Sequence, residues 1–311
     1  MSNVIETFAL TRHFGKQIAV NSIDLQVPQS SVYGFLGPNG AGKTTTIRML
    51  LGLIQPTSGT VRLFGRALGE NRNLLSRVGS MVEGPSLYPN LTGLENLEVT
   101  RILLGASRNR LEETLHIVQL TDAAHKLVRD YSLGMKQRLG IALALLSEPE
   151  LLILDELTNG LDPAGIREIR TLIRDLPRQY GITVFLSSHL LSEVEQVASH
   201  IGIIHRGKLI FQNTLDALQY ERREQVRVGT FDSAAAIALL ERAGYHVHRD
   251  EELLTIDTQG RQQAAQINRS LVQSQQDVFH LVLEQLSLED IFLKLTGEVF
   301  PDDQLTTRSV R

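Results

Sequence analysis

The sequence predicts an α/β protein whose core contains an inserted helical block and is followed by a small α+β domain. Three observations support this fold class. In residues 1–220, short β-type runs alternate with amphipathic segments, as in a sheet whose strands are connected by helices. Between about residues 86 and 147 the pattern becomes mostly helical. After residue 221 the order is β-α-β-β-α-β, the split βαβ arrangement of ferredoxin-like domains.

Apolar runs separated by turn signals define the elements of the first domain. A glycine-rich turn separates its first clear strand from its first helix. In the helical block, Thr92 and Glu95 have the T-x-x-E spacing of a capping box. The almost entirely apolar strands at 151–154 and 182–186 are typical of a parallel sheet covered on both faces. The other predicted strands are 31–36, 59–64 and 78–82, and the predicted helices are 43–51, 166–178 and 190–198.

The second domain is predicted from the same kind of pattern over residues 221–297. A helix with a cap-type start at Ser287 is expected to end near Gly297, and residues 298–311 lack an apolar period and are expected to form a flexible tail. Its acidic balance and lack of a ligand motif indicate packing, dimer support or regulation. The predicted strands are 225–228, 245–248, 253–258 and 278–283, and the predicted helices are 233–243 and 262–274.

Composition excludes several classes of protein. The 311 residues are 42% hydrophobic and 21% charged, which suits a soluble protein, and no apolar run approaches the roughly 20 residues of a membrane-spanning helix. The N-terminus lacks the pattern of a signal peptide. Cysteine is absent, which excludes disulfides and thiol catalysis, and a net charge of −4 gives no indication of nucleic acid as a partner.

A phosphate-binding loop is the clearest chemical motif. Residues 37–44 match G-x-x-x-x-G-K-[ST] between a predicted strand and a predicted helix. The loop's backbone N–H groups and the helix N-terminus attract phosphate oxygens, Lys43 would reach the β- and γ-phosphates, and Thr44 would hold Mg²⁺. Thr45 is placed to donate to the α-phosphate. The predicted nucleotide-binding residues of this loop are Gly37, Pro38, Asn39, Gly40, Ala41, Gly42, Lys43, Thr44 and Thr45.

Two carboxylates follow a second apolar strand. Asp155 lies at the strand's end, where it can hold Mg²⁺, and Glu156 is placed to polarise an attacking water molecule as a general base. Without the phosphate loop, an acidic turn after a buried strand would be the simpler interpretation. Together the two motifs predict nucleotide hydrolysis.

With its other motifs, the chain resembles the ATP-binding cassette (ABC) superfamily over residues 3–220. The run Tyr131-Ser-Leu-Gly-Met135 is similar to the family signature L-S-G-G-Q, with Leu and Met in place of Gly and Gln. Leu161-Asp162 resembles the D-loop, and the histidine of Ser187-Ser-His189 resembles the switch histidine. Phe14 occupies the place of the aromatic side chain that stacks on adenine.

The resemblance implies a head-to-tail pair of ATP-hydrolysing cassettes, expected to be a homodimer. Each subunit's signature, here Ser132, Leu133, Gly134 and Met135, would complete the other's nucleotide site, and His189 would orient the γ-phosphate and water. A separately encoded multi-span permease would be the membrane partner, which places the chain in the cytoplasm on the inner face of the membrane. The implied cofactors are ATP and Mg²⁺.

Glu83 points to a substrate class. The family usually has glutamine at this position, and the glutamate is also found in transporters that resemble bacitracin exporters and lantibiotic self-immunity pumps. A carboxylate only accepts hydrogen bonds and adds charge near the metal, so Glu83 is a further candidate Mg²⁺ ligand. We expect it to couple the ATP site to a cytoplasmic helix of the membrane partner, and the transported compound to be a peptide antibiotic. An exposed acidic loop residue without such a role is the alternative.

Two other functions compete with transport. A non-transport ABC ATPase of the ribosomal type would contain two phosphate loops, and one of the DNA-repair type would have a long coiled coil before the signature, whereas this chain has one loop and no coiled coil. A nucleotide-gated interaction module would bind ATP without turnover. The presence of Glu156 and His189 favours hydrolysis, and a phosphate-release assay separates these two alternatives.

Overall fold

The computed structural model describes residues 2–157, 159–220, 224–250, 253–258 and 260–285. The chain divides into two compact units, of which the first ends at Leu215 and the second begins at Asp216. The helix predicted to start at Ser287 and the tail predicted at 298–311 lie outside the described residues.

The first unit combines two sheets with helices. Its strands are β1 Asn3–Phe14, β2 Gln17–Ile23, β3 Gln26–Pro28, β4 Val32–Leu36, β5 Ser58–Leu63, β6 Arg66–Ala67, β7 Val78–Met81, β8 Leu151–Asp155, β9 Thr183–Ser188, β10 His200–His205 and β11 Lys208–Thr214. Its helices are α1 Lys43–Leu50, α2 Gly93–Leu104, α3 Asn109–Ile117, α4 Leu133–Leu145, α5 Pro163–Tyr180 and α6 Leu191–Glu195, and α7 Leu215–Tyr220 follows at the boundary.

The larger sheet positions the candidate site. Its strand order is β11-β10-β4-β9-β8-β7, and the pairs from β10 to β7 are parallel. Every residue of β4, β8 and β9 is buried, which explains their almost continuous apolar sequences. Parallel strands end at the same edge of a sheet, so the segments that follow β4, β8 and β9 lie side by side.

The second sheet of this unit is antiparallel, and the sequence pattern predicted only part of it. Its order is β2-β1-β5-β6, with β3 also paired to β1. The pairing of β1 with β2 shifts register on both sides of Arg12, and Ala9 has a φ of 47°. Such bulges interrupt the two-residue alternation by which a half-buried strand is recognised.

The helical block has α2, α3 and α4 between β7 and β8. At the start of α2, the Thr92 hydroxyl accepts a hydrogen bond from the Glu95 N–H, and the Glu95 carboxylate accepts one from the Thr92 N–H. The predicted capping box is therefore confirmed. Among the described residues, no helix is both long enough and apolar enough to span a lipid bilayer.

The second unit has a four-stranded antiparallel sheet of order β13-β14-β12-β15. Its strands are β12 Glu224–Thr230, β13 Val247–Asp250, β14 Leu253–Thr258 and β15 Val278–Gln285, and its helices are α8 Ser233–Arg242 and α9 Arg261–Gln273. The predicted β-α-β-β-α-β order is confirmed. Its own core includes Val226, Leu240, Ile256 and Ile267. The second predicted strand of this unit starts later than expected, because Tyr245 still donates its N–H to the Leu240 carbonyl.

Candidate functional site: a phosphate loop at the edge of the parallel sheet

The glycine-rich loop connects β4 to α1 in a backbone path that other residues could not follow. Gly42 has a φ of 112°, and a Cβ there would lie 2.5 Å from the Ala19 carbonyl oxygen. A Cβ at Gly37 would lie 2.3 Å from the Ile204 carbonyl oxygen. The close approach of neighbouring backbone therefore requires glycine at both positions, and the positive φ of Gly42 favours glycine there as well. The loop ends at the N-terminus of the eight-residue helix α1, so the N–H groups of the loop and of the helix start lie close together.

A cavity of about 260 Å³ lies over this loop. It brings together loop residues, the end of β8 and the segment after β9. The lining residues are Asn39, Gly40, Gly42, Lys43, Thr44, Thr45, Glu156, Asn159 and His189.

Lys43 is buried at the floor of the cavity, with its side chain only 5% exposed. Its Nζ donates to the Gly37 carbonyl oxygen at 2.8 Å and lies 3.1 Å from Glu156 Oε1. A buried ammonium group needs such partners because its desolvation is costly. The loop itself therefore holds this positive charge at the place predicted for phosphate.

Asp155 is held between two hydroxyl groups. Thr44 Oγ1 donates to Asp155 Oδ2 at 2.9 Å, and the Ser187 hydroxyl donates to Asp155 Oδ1. A hydroxyl and a carboxylate at this spacing are hard oxygen donors, and this chemistry fits Mg²⁺ completed by phosphate oxygens. No group of three or more histidine, cysteine, aspartate or glutamate side chains within the described residues could hold a metal ion by itself.

Glu156 lies at the centre of the polar contacts. Its Oε2 is 2.6 Å from His189 Nδ1 and accepts from Asn159 Nδ2 at 3.3 Å, while Oε1 faces Lys43. Its φ is 49°, and its N–H points at both the carbonyl and the hydroxyl of Ser187. The backbone bend after β8 thus turns the Glu156 side chain into the cavity while Asp155 stays in line with the strand.

Phe14 and Glu83 were predicted for the site but do not line this cavity. Phe14 is 48% exposed at the end of β1, with the Arg12 guanidinium 4.6 Å from its ring centroid. Glu83 pairs with Arg48, which lies one helical turn after Thr44 on α1. The Glu83 carboxylate is therefore next to the helix of the phosphate loop, but it does not share the Thr44–Asp155 donor set.

Ser132 and Asp162 both cap helices. The Ser132 hydroxyl accepts from the Met135 N–H at 3.2 Å at the start of α4, and Asp162 Oδ1 accepts from the Gly165 N–H at 2.8 Å at the start of α5. Leu133 is 45% exposed, and its Cδ2 lies 3.3 Å from the position that a Cβ on Gly160 would occupy. The signature Ser132–Met135 is thus an exposed helix start beside the Leu161–Asp162 turn, outside the cavity of its own chain.

Asn159 and Ser187 are polar contacts of the site that sequence reasoning missed. Asn159 lies three residues after Glu156, and Ser187 is the first residue of the Ser-Ser-His motif. Ser187 pairs with Asp155 in the register of β8 and β9. The position of Ser187 within the Ser-Ser-His motif was the available signal, but its partner depends on strand register.

Comparison with known proteins identifies the family. Residues 20–159 match the family model described as "ABC transporter". The bacitracin transport ATP-binding protein BcrA of Bacillus licheniformis is 47% identical over 303 residues, which are 96% of this chain and 98% of the relative. The chain belongs to the ABC transporter family. It is one of the family's ATPase subunits, and the predicted resemblance is confirmed.

Further similarities extend to other transporters and to a solved cassette. The lantibiotic transport ATP-binding protein SrtF of Streptococcus pyogenes is 44% identical over 207 residues, covering 67% of this chain and 89% of the relative. A dimeric ATP-binding cassette solved in a post-hydrolysis state with ADP and Pi matches with a TM-score of 0.60 and 25% identity, covering 68% of this chain and 98% of that one. The ABC fold of the first unit is thereby confirmed.

Proposed function

We propose that this subunit hydrolyses ATP to ADP and phosphate to drive an exporter of peptide antibiotics. The observation that carries the proposal is the convergence of Lys43, Glu156 and His189 in one cavity over a phosphate loop. A cation for the phosphates, a carboxylate for water and an imidazole that contacts this carboxylate are groups that support phosphoryl transfer to water.

Binding depends on the loop and on the Thr44–Asp155 pair. The backbone N–H groups of Asn39, Gly40 and Gly42 and the Lys43 ammonium receive the β- and γ-phosphates, and Thr45 donates to the α-phosphate. Thr44 and Asp155 would hold Mg²⁺, which when bound neutralises charge on the β- and γ-phosphate oxygens. Phe14, exposed at the end of β1, is available to stack on the adenine ring.

The hydrolytic step is assigned to Glu156 and His189. Glu156 takes a proton from water as the water oxygen bonds to the γ-phosphorus, and the bond from that phosphorus to the β,γ-bridging oxygen breaks. His189 donates from Nδ1 to Glu156 Oε2 at 2.6 Å and so orients the carboxylate, and as an imidazolium it would also donate from Nε2 to the γ-phosphate. Asn159 supports the same carboxylate oxygen at 3.3 Å.

A second copy completes the site. Ser132, Leu133, Gly134 and Met135 begin a 13-residue helix and face away from the cavity of their own chain, so they are free to approach the γ-phosphate of a partner copy. Asp162 lies at the neighbouring helix start and would join the same interface. A solved relative is a dimer in a post-hydrolysis state, which supports this arrangement as a homodimer.

The decisive biochemical experiment is Glu156→Gln in the full chain. The amide keeps the size of the side chain but cannot take a proton, so phosphate release should fall about 10²–10⁴-fold while ATP binding persists. We expect the ATP-bound variant to elute as a dimer in size-exclusion chromatography. Glu112→Gln, an exposed acid on α3, is the matched control and should behave as the unmodified protein. Normal turnover by Glu156→Gln would contradict the proposed mechanism.

The membrane partner and substrate need a cellular experiment. The relatives named for bacitracin and lantibiotic transport support a peptide antibiotic as cargo and a separate permease, with the subunit on the cytoplasmic face of the membrane. Co-expression with the membrane protein encoded beside this chain should raise the minimal inhibitory concentration of bacitracin in a sensitive host. Glu156→Gln should abolish that increase. An increase for daunorubicin and none for bacitracin or a lantibiotic would contradict the peptide class.

The same cellular experiment tests the role of Glu83. We assign it to coupling between the ATP site and the permease, because its carboxylate pairs with Arg48 on the helix that carries Thr44. Glu83→Ala should lower resistance while the isolated subunit still hydrolyses ATP. Unchanged resistance would leave Glu83 as an ordinary exposed ion pair.

A further inference from the structure

We propose that Ser187 is a positioning residue that fixes both carboxylate residues of the acidic strand end, Asp155 for the metal and Glu156 for water. The inference rests on the proposed function and deepens it. Ser187 belongs neither to the phosphate loop nor to the carboxylate pair, and its side chain does not line the cavity. It acts through the two residues that it contacts.

The first contact fixes the orientation of Asp155. The Ser187 hydroxyl donates to Asp155 Oδ1 while Thr44 donates to Oδ2, so each oxygen of this buried carboxylate has its own partner. Asp155 and Ser187 are only 5% and 2% exposed, so water does not readily replace either one. Without the Ser187 hydroxyl, Oδ1 would be a buried acceptor without its donor, and the carboxylate could rotate away from Thr44.

The second contact supports the backbone bend at Glu156. The same Ser187 oxygen accepts the Glu156 N–H at 3.2 Å, and the Ser187 carbonyl oxygen lies 3.3 Å from that nitrogen. Glu156 has a φ of 49°, a left-handed conformation that is unfavourable for a residue with a Cβ. A hydrogen bond at this position offsets that cost and keeps the Glu156 carboxylate directed at Lys43 and His189.

Strand register fixes the position of Ser187 next to Asp155. Asp155 and Ser187 are direct partners in the parallel pairing of β8 and β9, and both strands are fully buried. The position of the Ser187 hydroxyl is therefore set by two paired, buried strands and not by a loop. Removal of a group that hydrogen-bonds to a metal ligand and orients it typically lowers metal affinity or activity by about 10–100-fold.

The experiment compares Ser187→Ala with a matched loss of a buried hydroxyl on the same strand. Thr183 lies at the other end of β9, is fully buried, and its hydroxyl accepts from the Ser30 N–H at 2.9 Å. Thr183→Val removes that hydroxyl away from the site. ATP affinity is measured by calorimetry in EDTA and across a Mg²⁺ titration, with thermal unfolding of each variant in parallel.

We expect Ser187→Ala to keep the EDTA affinity for ATP within about twofold, because the phosphate loop is unchanged. Its half-saturating Mg²⁺ concentration should rise about 10–100-fold, and kcat should fall by a similar factor. Ser187→Thr, which keeps the hydroxyl, should retain the Mg²⁺ dependence of the unmodified protein. Thr183→Val should change thermal stability without changing that dependence.

An unchanged Mg²⁺ dependence in Ser187→Ala, or an equal change in Thr183→Val, would overturn the inference. If Ser187→Ala does not fold, Ser187→Cys is decisive, since it fills the same space with a weaker donor and should give an intermediate shift. The proposed function is tested separately: normal turnover in Glu156→Gln would refute it. An inactive Glu156→Gln with a Ser187→Ala variant that behaves as the unmodified protein would refute only the positioning role.

Discussion

Glu156 shows how a single carboxylate can serve both binding and catalysis. It contacts Lys43, His189 and Asn159, so its orientation is determined from three sides. The Lys43 ammonium that faces Glu156 is the same group that we assign to phosphate, so the carboxylate and the phosphate oxygens compete for it. Neutralising this competitor in Glu156→Gln should therefore tighten ATP binding as well as stop turnover.

The site residues that could be predicted from the sequence are those whose chemistry requires fixed local spacing. Gly37, Lys43 and Thr44 occur at set intervals because one short loop must surround phosphate. Asp155 and Glu156 follow an apolar run for a similar reason. Ser187 could not be found in this way, because its partner is 32 residues away along the chain and is set by the pairing of β8 with β9.

Ser132 and Asp162 mark a second limit of sequence reasoning. Both were predicted for function, and both cap helices, since serine and aspartate are favoured N-cap residues. The same side chain can accept a hydrogen bond from an N–H group at a helix N-terminus and, in a dimer, face a phosphate bound to the partner copy. Capping and catalysis therefore select the same residue types, and only an assembly of two copies distinguishes them.

At the scale of elements, four of the five parallel strands, β4, β7, β8 and β9, were predicted, whereas only β5 was predicted in the antiparallel sheet of the first unit. β8 and β9 are buried on both faces, so their sequences are mainly apolar, and both end in polar residues at the edge of the sheet. β1 mixes buried and exposed positions, and its register shifts on both sides of Arg12. Its irregular pattern follows from the bulges, which depend on neighbours in β2 and β5.

The capping box of α2 gives a testable prediction for the helical block. Thr92→Ala removes the acceptor for the Glu95 N–H and should lower stability by about 1 kcal/mol, or about 2–4 °C in the melting temperature of this unit. Thr100→Ala, in the same helix but away from its end, is the control and should not lower the melting temperature. Equal melting temperatures for Thr92→Ala and Thr100→Ala would contradict a role for the cap.

The same box predicts a pH dependence. Hydrogen bonds from the Thr92 backbone and then from its side chain lower the pKa of Glu95 below its ordinary value of 4.5. A carboxylate with a lowered folded-state pKa stabilises the fold above its unfolded pKa, and this contribution is lost as the pH falls through the folded pKa. The difference in melting temperature between the unmodified protein and Glu95→Gln should therefore be largest near neutral pH and shrink as the pH falls below 4.5.

At the scale of the whole molecule, the chain contains two independent sources of stability. The core beneath the phosphate loop includes Phe35, Ile47 and Phe185. The core of the second unit includes Val226 and Leu240 and shares no residue with the first among those described. The nucleotide contacts that we propose all belong to the first unit, so binding energy should stabilise that unit directly.

Calorimetry should accordingly resolve two unfolding transitions in the full chain. ATP at about 100 times its Kd adds about 2.7 kcal/mol to the unit that binds it, so in Glu156→Gln the first unit's transition should rise by about 5–10 °C. Leu240→Ala, at a fully buried position of α8, should instead lower the second transition, because a cavity in a core costs about 2–5 kcal/mol. A single transition that moves with both ATP and Leu240→Ala would mean that the units unfold as one, and the second unit would then have to be treated as part of the ATPase.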